Sequence, residues 1–159
     1  MNSRDFARLL LDLEAVKLSF DPPFTYTSGM KAPIYTDNRL LIGYPETCRK
    51  ISRGFSGLVR ENDLKPDWLA GTATAGIPWA AFLAYEMNIP IVYVRGQPKG
   101  HGAGKQVEGF LASGKRVLVI EDLVTTGGSA LATVEALKRE FQADAGAVLA
   151  IFTYGFSAM

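Results

Sequence analysis

The chain has 159 residues and a formal net charge of +1, enough length for one domain with a real core and too little charge for a broad electrostatic attraction to nucleic acid or an acidic membrane. Cys48 is the only cysteine, which excludes an internal disulfide and fits a reducing, cytoplasmic compartment. No apolar run approaches the ~18 residues of a membrane span, and the N-terminal segment carries Arg4, Asp5, Asp12 and Glu14 instead of the apolar stretch of a signal peptide.

In chain order, Phe6, Leu9, Leu10, Leu13 and Val16 recur at helical spacing and predict an amphipathic first helix. Residues 20–38 read as turns and short extended pieces, punctuated by Pro22, Pro23, Gly29 and Pro33. Pro45 is placed to start a helix whose buried side is Cys48, Ile51, Phe55 and Leu58. Trp68, Leu69 and Ala70 make a short strand ending at Gly71, followed by a helix over about 77–87 and a strand over 89–94. A polar, glycine-rich stretch (95–109) interrupts the pattern. A strand over 117–120 follows, then a helix marked by Leu131, Val134, Ala136, Leu137 and Phe141, then a last strand over 147–152. Strands alternating with helices predict right-handed crossovers and a parallel sheet. The N-terminal part lies outside that alternation and is expected to cap the carboxyl edge of the sheet.

The stretch 117–129 is the most informative. Four apolar residues run into Glu121 and Asp122, then Leu123 and Val124, then the turn Thr125, Thr126, Gly127, Gly128 and Ser129. A continuous β-branched run suits a strand buried on both faces, and such strands present ligand groups at their carboxyl ends. Neighbouring carboxylates accept hydrogen bonds from vicinal hydroxyls, and their field suits a cationic transition state or a nearby Mg²⁺. The turn supplies hydroxyls and backbone N–H groups, its glycines permit close approach, and the following helix points its N-terminus at the same place. The ligand so described is a phosphorylated sugar.

Three other stretches carry chemistry. Residues 71–78 join a strand to a helix through Thr74, Ala75 and Gly76, a second candidate anion cradle. Residues 95–109 place Arg95, Lys99, His101 and Lys105 among glycines with almost no apolar anchor, which suits a mobile cationic loop closing over a polyanion. A nucleotide P-loop at Gly104 and Lys105 fails, because Lys99 stands at the required earlier glycine and Gln106 at the required hydroxyl. Residues 24–39 combine aromatics, including Tyr35, with Lys31 and Arg39, the composition needed to stack on a flat anionic base and pair its carboxylate.

Residues 117–129 resemble the phosphoribosyl diphosphate (PRPP) signature of the type I phosphoribosyltransferases. Together with 24–39 and 95–109, they resemble the orotate phosphoribosyltransferase family over nearly the whole chain. The resemblance implies the type I phosphoribosyltransferase fold, an α/β parallel sheet flanked by helices with a small N-terminal hood contributed mainly by 18–42. It implies transfer of ribose 5-phosphate from PRPP to orotate, with Mg²⁺ held mainly by PRPP and water and not directly by the protein. Arg95, Lys99 and His101 are then the diphosphate contacts and catalytic groups. Glu121, Asp122, Leu123, Val124, Thr125, Thr126, Gly127, Gly128 and Ser129 hold the ribose 5-phosphate, and the turn with Thr74 and Ala75 beside them is then a pyrophosphate site. Thr125, Lys31, Tyr35 and Arg39 contact orotate. A homodimer is implied, in which the loop lysine acts in the neighbouring subunit.

There are departures. Ala75 stands where some members have a basic residue, and Thr153 and Tyr154 stand where some carry an arginine for the orotate carboxylate, so Arg39 or Lys31 is expected to substitute. Against typical members the C-terminus is expected to be short by about one strand and one helix. The rival readings are a purine-type phosphoribosyltransferase, which residues 24–39 argue against, and a PRPP-binding regulator without turnover, which has little use for the cationic loop.

Overall fold

The computed structural model describes residues 3–26, 29–98 and 104–155. The N-terminal portion consists of α1 (Ser3–Asp12), β1 (Val16–Leu18), β2 (Phe24–Thr25), β3 (Lys31–Ala32), β4 (Ile34–Thr36) and a 3-10 turn (Asn38–Gly43). It builds two small antiparallel ladders, β1 with β4 and β2 with β3. The remainder alternates α2 (Pro45–Glu61), β5 (Trp68–Thr72), α3 (Gly76–Met87), β6 (Ile91–Val94), β7 (Val107–Glu108), β8 (Arg116–Val124), α4 (Gly128–Phe141) and β9 (Asp144–Thr153).

The main sheet has the order β7-β6-β5-β8-β9, and every pairing is parallel except that of β7 with β6. Helices cover both faces. Leu69, Leu118, Ile120 and Ile151 pack with α2 and α3, around Ile51, Phe55, Trp79 and Leu83. Ala70, Val92, Val117 and Val119 pack on the other face with Ala136 and Leu137 of α4. Because successive side chains of a strand point to opposite faces, β8 divides its residues between the two cores.

Several expectations need correction. Val16 belongs to β1, because the first helix stops at Asp12 and Glu14 takes a left-handed conformation (φ 55°). Leu58 is 41% exposed and Val59 takes its place on the buried side of α2. The strand expected at 89–94 begins only at Ile91, after Pro90. β5 runs on through Gly71 to Thr72, and β9 starts earlier than expected, at Asp144. On α4, Leu131 faces solvent while Ala130 and Thr133 are buried. The stretch 95–109 does have an apolar anchor. Val107 is buried in the second core and forms the antiparallel edge strand with Glu108, so the sheet is mostly, not wholly, parallel. Finally, β8 does not end at the carboxylates; it carries them inside the strand and continues to Val124.

Candidate active site at the carboxyl edge of the sheet

The site arises because β8 is longer than its neighbour. The ladder between β5 and β8 stops at Gly71 opposite Ile120, whereas β9 accompanies β8 as far as Val124 opposite Thr153. Residues 121–124 therefore project past β5 with a strand on one side only. Glu121 and Asp122 occupy this projection, on opposite faces of it.

Glu121 continues the series of Val117 and Val119 and faces α4. It is 4% exposed. Ser129, in the first turn of α4, donates its hydroxyl to Glu121 Oε1 at 2.9 Å, and the Thr72 hydroxyl bonds the same carboxylate. Thr72 in turn shares a 3.1 Å hydroxyl contact with Thr133. Burial raises the Glu121 pKa, and the hydrogen bonds from Ser129 and Thr72 oppose that rise. Asp122 continues the series of Leu118 and Ile120 and faces the N-terminal portion, half-buried. Burial raises its pKa as well, while the backbone N–H groups of Asp122 and Leu123 and the charge of Arg39 pull it down.

Beyond Leu123 and Val124, both half-buried, the chain turns. Gly127 takes φ +83°, a left-handed conformation that glycine adopts without a Cβ penalty, and caps α4. Thr125 is half-buried, while Thr126, Gly128 and Ser129 are exposed. The first-turn N–H groups of α4 have no partners within the helix, and the helix dipole adds positive potential there. With the Ser129 hydroxyl engaged by Glu121, the donors left for an anion are those N–H groups and the hydroxyls of Thr125 and Thr126. The second cradle lies alongside. A Cβ on Gly71 would sit 2.8 Å from the Ile77 Cα, and one on Gly76 would run into the Ile120 carbonyl, so Gly71 is demanded by the close approach of α3 to β5 and Gly76 by the close approach of α3 to β8. This packing sets exposed Thr74 and half-buried Ala75 next to the projecting strand. The Ala73–Thr74 peptide is cis.

The N-terminal portion sits over this edge, as expected of a hood. The Asn38 side chain donates to the Asp122 carbonyl at 2.6 Å. The rings of Tyr26 and Tyr154, just beyond β9, lie 6.2 Å apart, and Tyr154 N–H bonds the Val124 carbonyl at 3.2 Å. Tyr26 also donates to the Ile34 carbonyl; burial and Tyr154 push its phenol up to about 12. Tyr35 stacks on Phe24 at 5.6 Å and is part exposed. Arg39 forms a two-pronged pair with Asp37, at 2.6 and 2.8 Å, which lowers the Asp37 pKa. Lys31 is exposed on β3 and makes no ion pair among the described residues.

Of the cationic loop, Lys99 and His101 lie outside the described residues. Arg95 pairs with Glu108 at 3.5 Å instead of facing the acid strand. Glu140, near the end of α4, accepts from the backbone N–H groups of Gln106 and Val107 at 2.9 and 3.2 Å. Among the described residues no three His, Cys, Asp or Glu side chains cluster as a metal cage. A Mg²⁺ that keeps several waters and takes phosphate oxygens needs at most one or two protein carboxylates, and the half-buried Asp122 is a hard oxygen donor of the right kind.

The structure thus brings together 121–129, the turn at Thr74 and Ala75, and Arg39 near Asp122. It does not bring Arg95 or Lys31 into contact with the acids. The sequence gives no local signal for the bonds made by Asn38, Thr72 and Tyr154, whereas Gly76 lies in the cradle read from it, a glycine where a strand meets a helix. A cavity of about 470 Å³ between α1, α2 and β9, lined by Phe6, Ile51, Phe55 and Ile151, contains none of the residues singled out for chemistry.

Comparison with known proteins agrees with this geometry. Residues 44–151 match the phosphoribosyl transferase domain family. The chain is 51% identical over 152 residues to an orotate phosphoribosyltransferase of Streptococcus mutans, covering 96% of this chain and 72% of the relative. It superposes on the crystal structure of orotate phosphoribosyltransferase from Aeropyrum pernix with a TM-score of 0.84 and 32% identity, covering 96% of this chain and 84% of that one. It superposes on Leishmania donovani UMP synthase with a TM-score of 0.82 and 30% identity, covering 99% of this chain and 33% of that one.

Proposed function

The chain belongs to the orotate phosphoribosyltransferase family, and we propose that it transfers ribose 5-phosphate from PRPP to N1 of orotate, giving orotidine 5′-phosphate and pyrophosphate. The observation that carries this reading is the projection of β8 beyond β5. It sets a half-buried carboxylate, a left-handed glycine turn and an open helix N-terminus along one edge, under a hood built from 18–42.

The roles follow from the geometry. The 5-phosphate rests on the N-terminus of α4, held by backbone N–H groups and the hydroxyls of Thr125 and Thr126. Asp122 accepts from the ribose hydroxyls. Glu121 stands behind it, holding Ser129 and Thr72 so that the turn keeps its shape. The diphosphate lies along the turn at Thr74 and Ala75. The bond from the anomeric carbon to the diphosphate oxygen breaks and the diphosphate keeps the electron pair. N1 of orotate, in the form that carries no proton there, then forms the new C–N bond with its lone pair. Positive charge develops on the ring as in other glycosyl transfers, and the Asp122 carboxylate stabilises it electrostatically. Bound Mg²⁺ would neutralise charge on the departing diphosphate. Arg95, with Lys99 and His101, takes up the same charge after the loop leaves the Glu108 pairing. Orotate lies between Thr125 and the hood, where Tyr35 offers a ring face. Lys31 is the stronger candidate for its carboxylate, since Arg39 is already neutralised by Asp37.

The reading extends to a cytoplasmic homodimer acting as one phosphoribosyltransferase unit per chain, in which the loop lysine reaches the neighbouring site. Among the described residues no helix is long and apolar enough to cross a membrane. The test is to follow the ultraviolet loss of orotate with PRPP and Mg²⁺, omitting each in turn. Loss that requires all three supports the proposal. Consumption of adenine or hypoxanthine in place of orotate would favour the purine-type rival.

A further inference from the structure

We propose that Asn38 is a positioning residue for the sugar-binding carboxylate, holding the projecting part of β8 in place by bonding the Asp122 carbonyl from the hood. Within a parallel ladder each strand's carbonyls are satisfied by its neighbours, but the β5 ladder ends opposite Ile120. The Asp122 carbonyl lies beyond that end, and an unpaired buried carbonyl is costly. Asn38 Nδ2 supplies the missing donor at 2.6 Å, across 84 residues of sequence.

Three features mark this bond as a built one. Asn38 is 0% exposed, so its amide is not a surface group that happens to touch the strand. Its Oδ1 is buried without a hydrogen-bond partner among the described residues. An apolar side chain there would remove that unsatisfied atom but would also strip the Asp122 carbonyl of its donor, so the amide is kept for the one bond it gives. Its chain neighbours are fixed as well: Asp37 caps the 3-10 turn by accepting from Arg39 N–H at 3.2 Å and grips the Arg39 guanidinium. The hood therefore meets the acid strand through a locked three-residue unit. Arg39 extends its charge toward the Asp122 carboxylate while Asn38 holds the Asp122 backbone. In this arrangement the segment that receives the base also sets the carboxylate that receives the sugar.

The inference rests on the proposed reaction, and a double-mutant cycle separates the two. Asn38→Leu keeps the volume and removes the donor; Asn38→Ala is the second variant should the first fail to fold. Asn38→Leu is expected to raise KM for PRPP about tenfold with a much smaller change in kcat. In an Asp122→Asn background the same substitution is expected to change nothing further, because the carboxylate it positions is gone. Additive effects in the cycle, or an unchanged KM for PRPP, would overturn the inference while leaving the reaction intact. Absence of orotate consumption by the parent protein defeats the functional reading instead. Calorimetric binding of PRPP then decides about Asn38 alone: weakening by Asn38→Leu, smaller than that by Asp122→Asn, supports it, and unchanged affinity, or no binding by the parent, overturns it.

Discussion

Glu121 and Asp122 are adjacent in sequence and unlike in facing, exposure and partners. Glu121 faces α4, is almost completely buried, and is held by Ser129 and Thr72. Asp122 faces the hood, is only half-buried, and has Arg39 as its nearest cationic influence. Strand alternation alone produces this split. One carboxylate is thereby assigned to the scaffold that shapes the phosphate turn, the other to the ligand. A pair of acids in a motif need not be a pair in function.

The largest effect expected from this division is on turnover. Asp122→Asn should lower kcat/KM by about 100-fold, the scale of losing one electrostatic contact to a developing charge, without lowering the thermal midpoint. The sign of its pH effect follows from the raised pKa. The folded state holds the Asp122 proton more tightly than the unfolded chain, so this group's contribution to stability is present below the ordinary carboxylate range and is lost as pH rises through the folded pKa. The Asn variant should therefore melt above the parent at neutral pH, with the gap closing in acid. A midpoint well below the parent's would assign Asp122 to the scaffold too.

Gly76→Ala comes next. Its new Cβ meets the Ile120 carbonyl, backbone that cannot swing away, and the overpacking should cost about 1–3 kcal/mol in denaturant unfolding. Glu121→Gln should cost about 1–2 kcal/mol by mismatching the Ser129 and Thr72 hydroxyls, with a smaller loss of kcat than Asp122→Asn. Equal kinetic losses from the two would erase the division. On the hood side, Lys31→Ala should raise KM for orotate about tenfold, on the scale of a charge-assisted contact, and Arg39→Ala less, measured against an unchanged KM for PRPP. The reverse order would show that Arg39 releases Asp37 on binding.

The smallest effect lies at the far end of α4. Burial pushes the Glu140 carboxyl up, but the N–H groups of Gln106 and Val107 and the nearby Arg139 outweigh it and leave the pKa lowered. That contribution is present above the ordinary glutamate range and is lost as pH falls through the folded pKa. Glu140→Gln should flatten the acid limb of the stability profile and leave neutral-pH turnover nearly intact.

What could be read from the chain was what is local. The run from Val117 through Ser129 carries strand, acids, glycine turn and helix in one continuous pattern, and all four appear in that order, with the strand running on to Val124. What escaped was set by distance and by neighbours. Nothing near Asn38 announces a bond to a carbonyl 84 residues away. The end of β8 could not be placed before Asp122, because only β9, which accompanies it to Val124, keeps it extended. Val107 and Glu108 are too short a run to declare a strand, and became one because β6 offered an open edge and Val107 an apolar contact. Period-2 alternation was available to separate Glu121 from Asp122. Treating the acids as one motif hid it.

The most direct test of that separation is ligand-induced stabilisation. A ligand that binds only the folded state adds RT ln(1 + [L]/Kd), about 2.7 kcal/mol at a hundredfold excess over Kd. PRPP with Mg²⁺ should raise the melting temperature of the parent and of Glu121→Gln by similar increments and leave Asp122→Asn nearly unmoved. Equal increments in all three proteins would contradict the account.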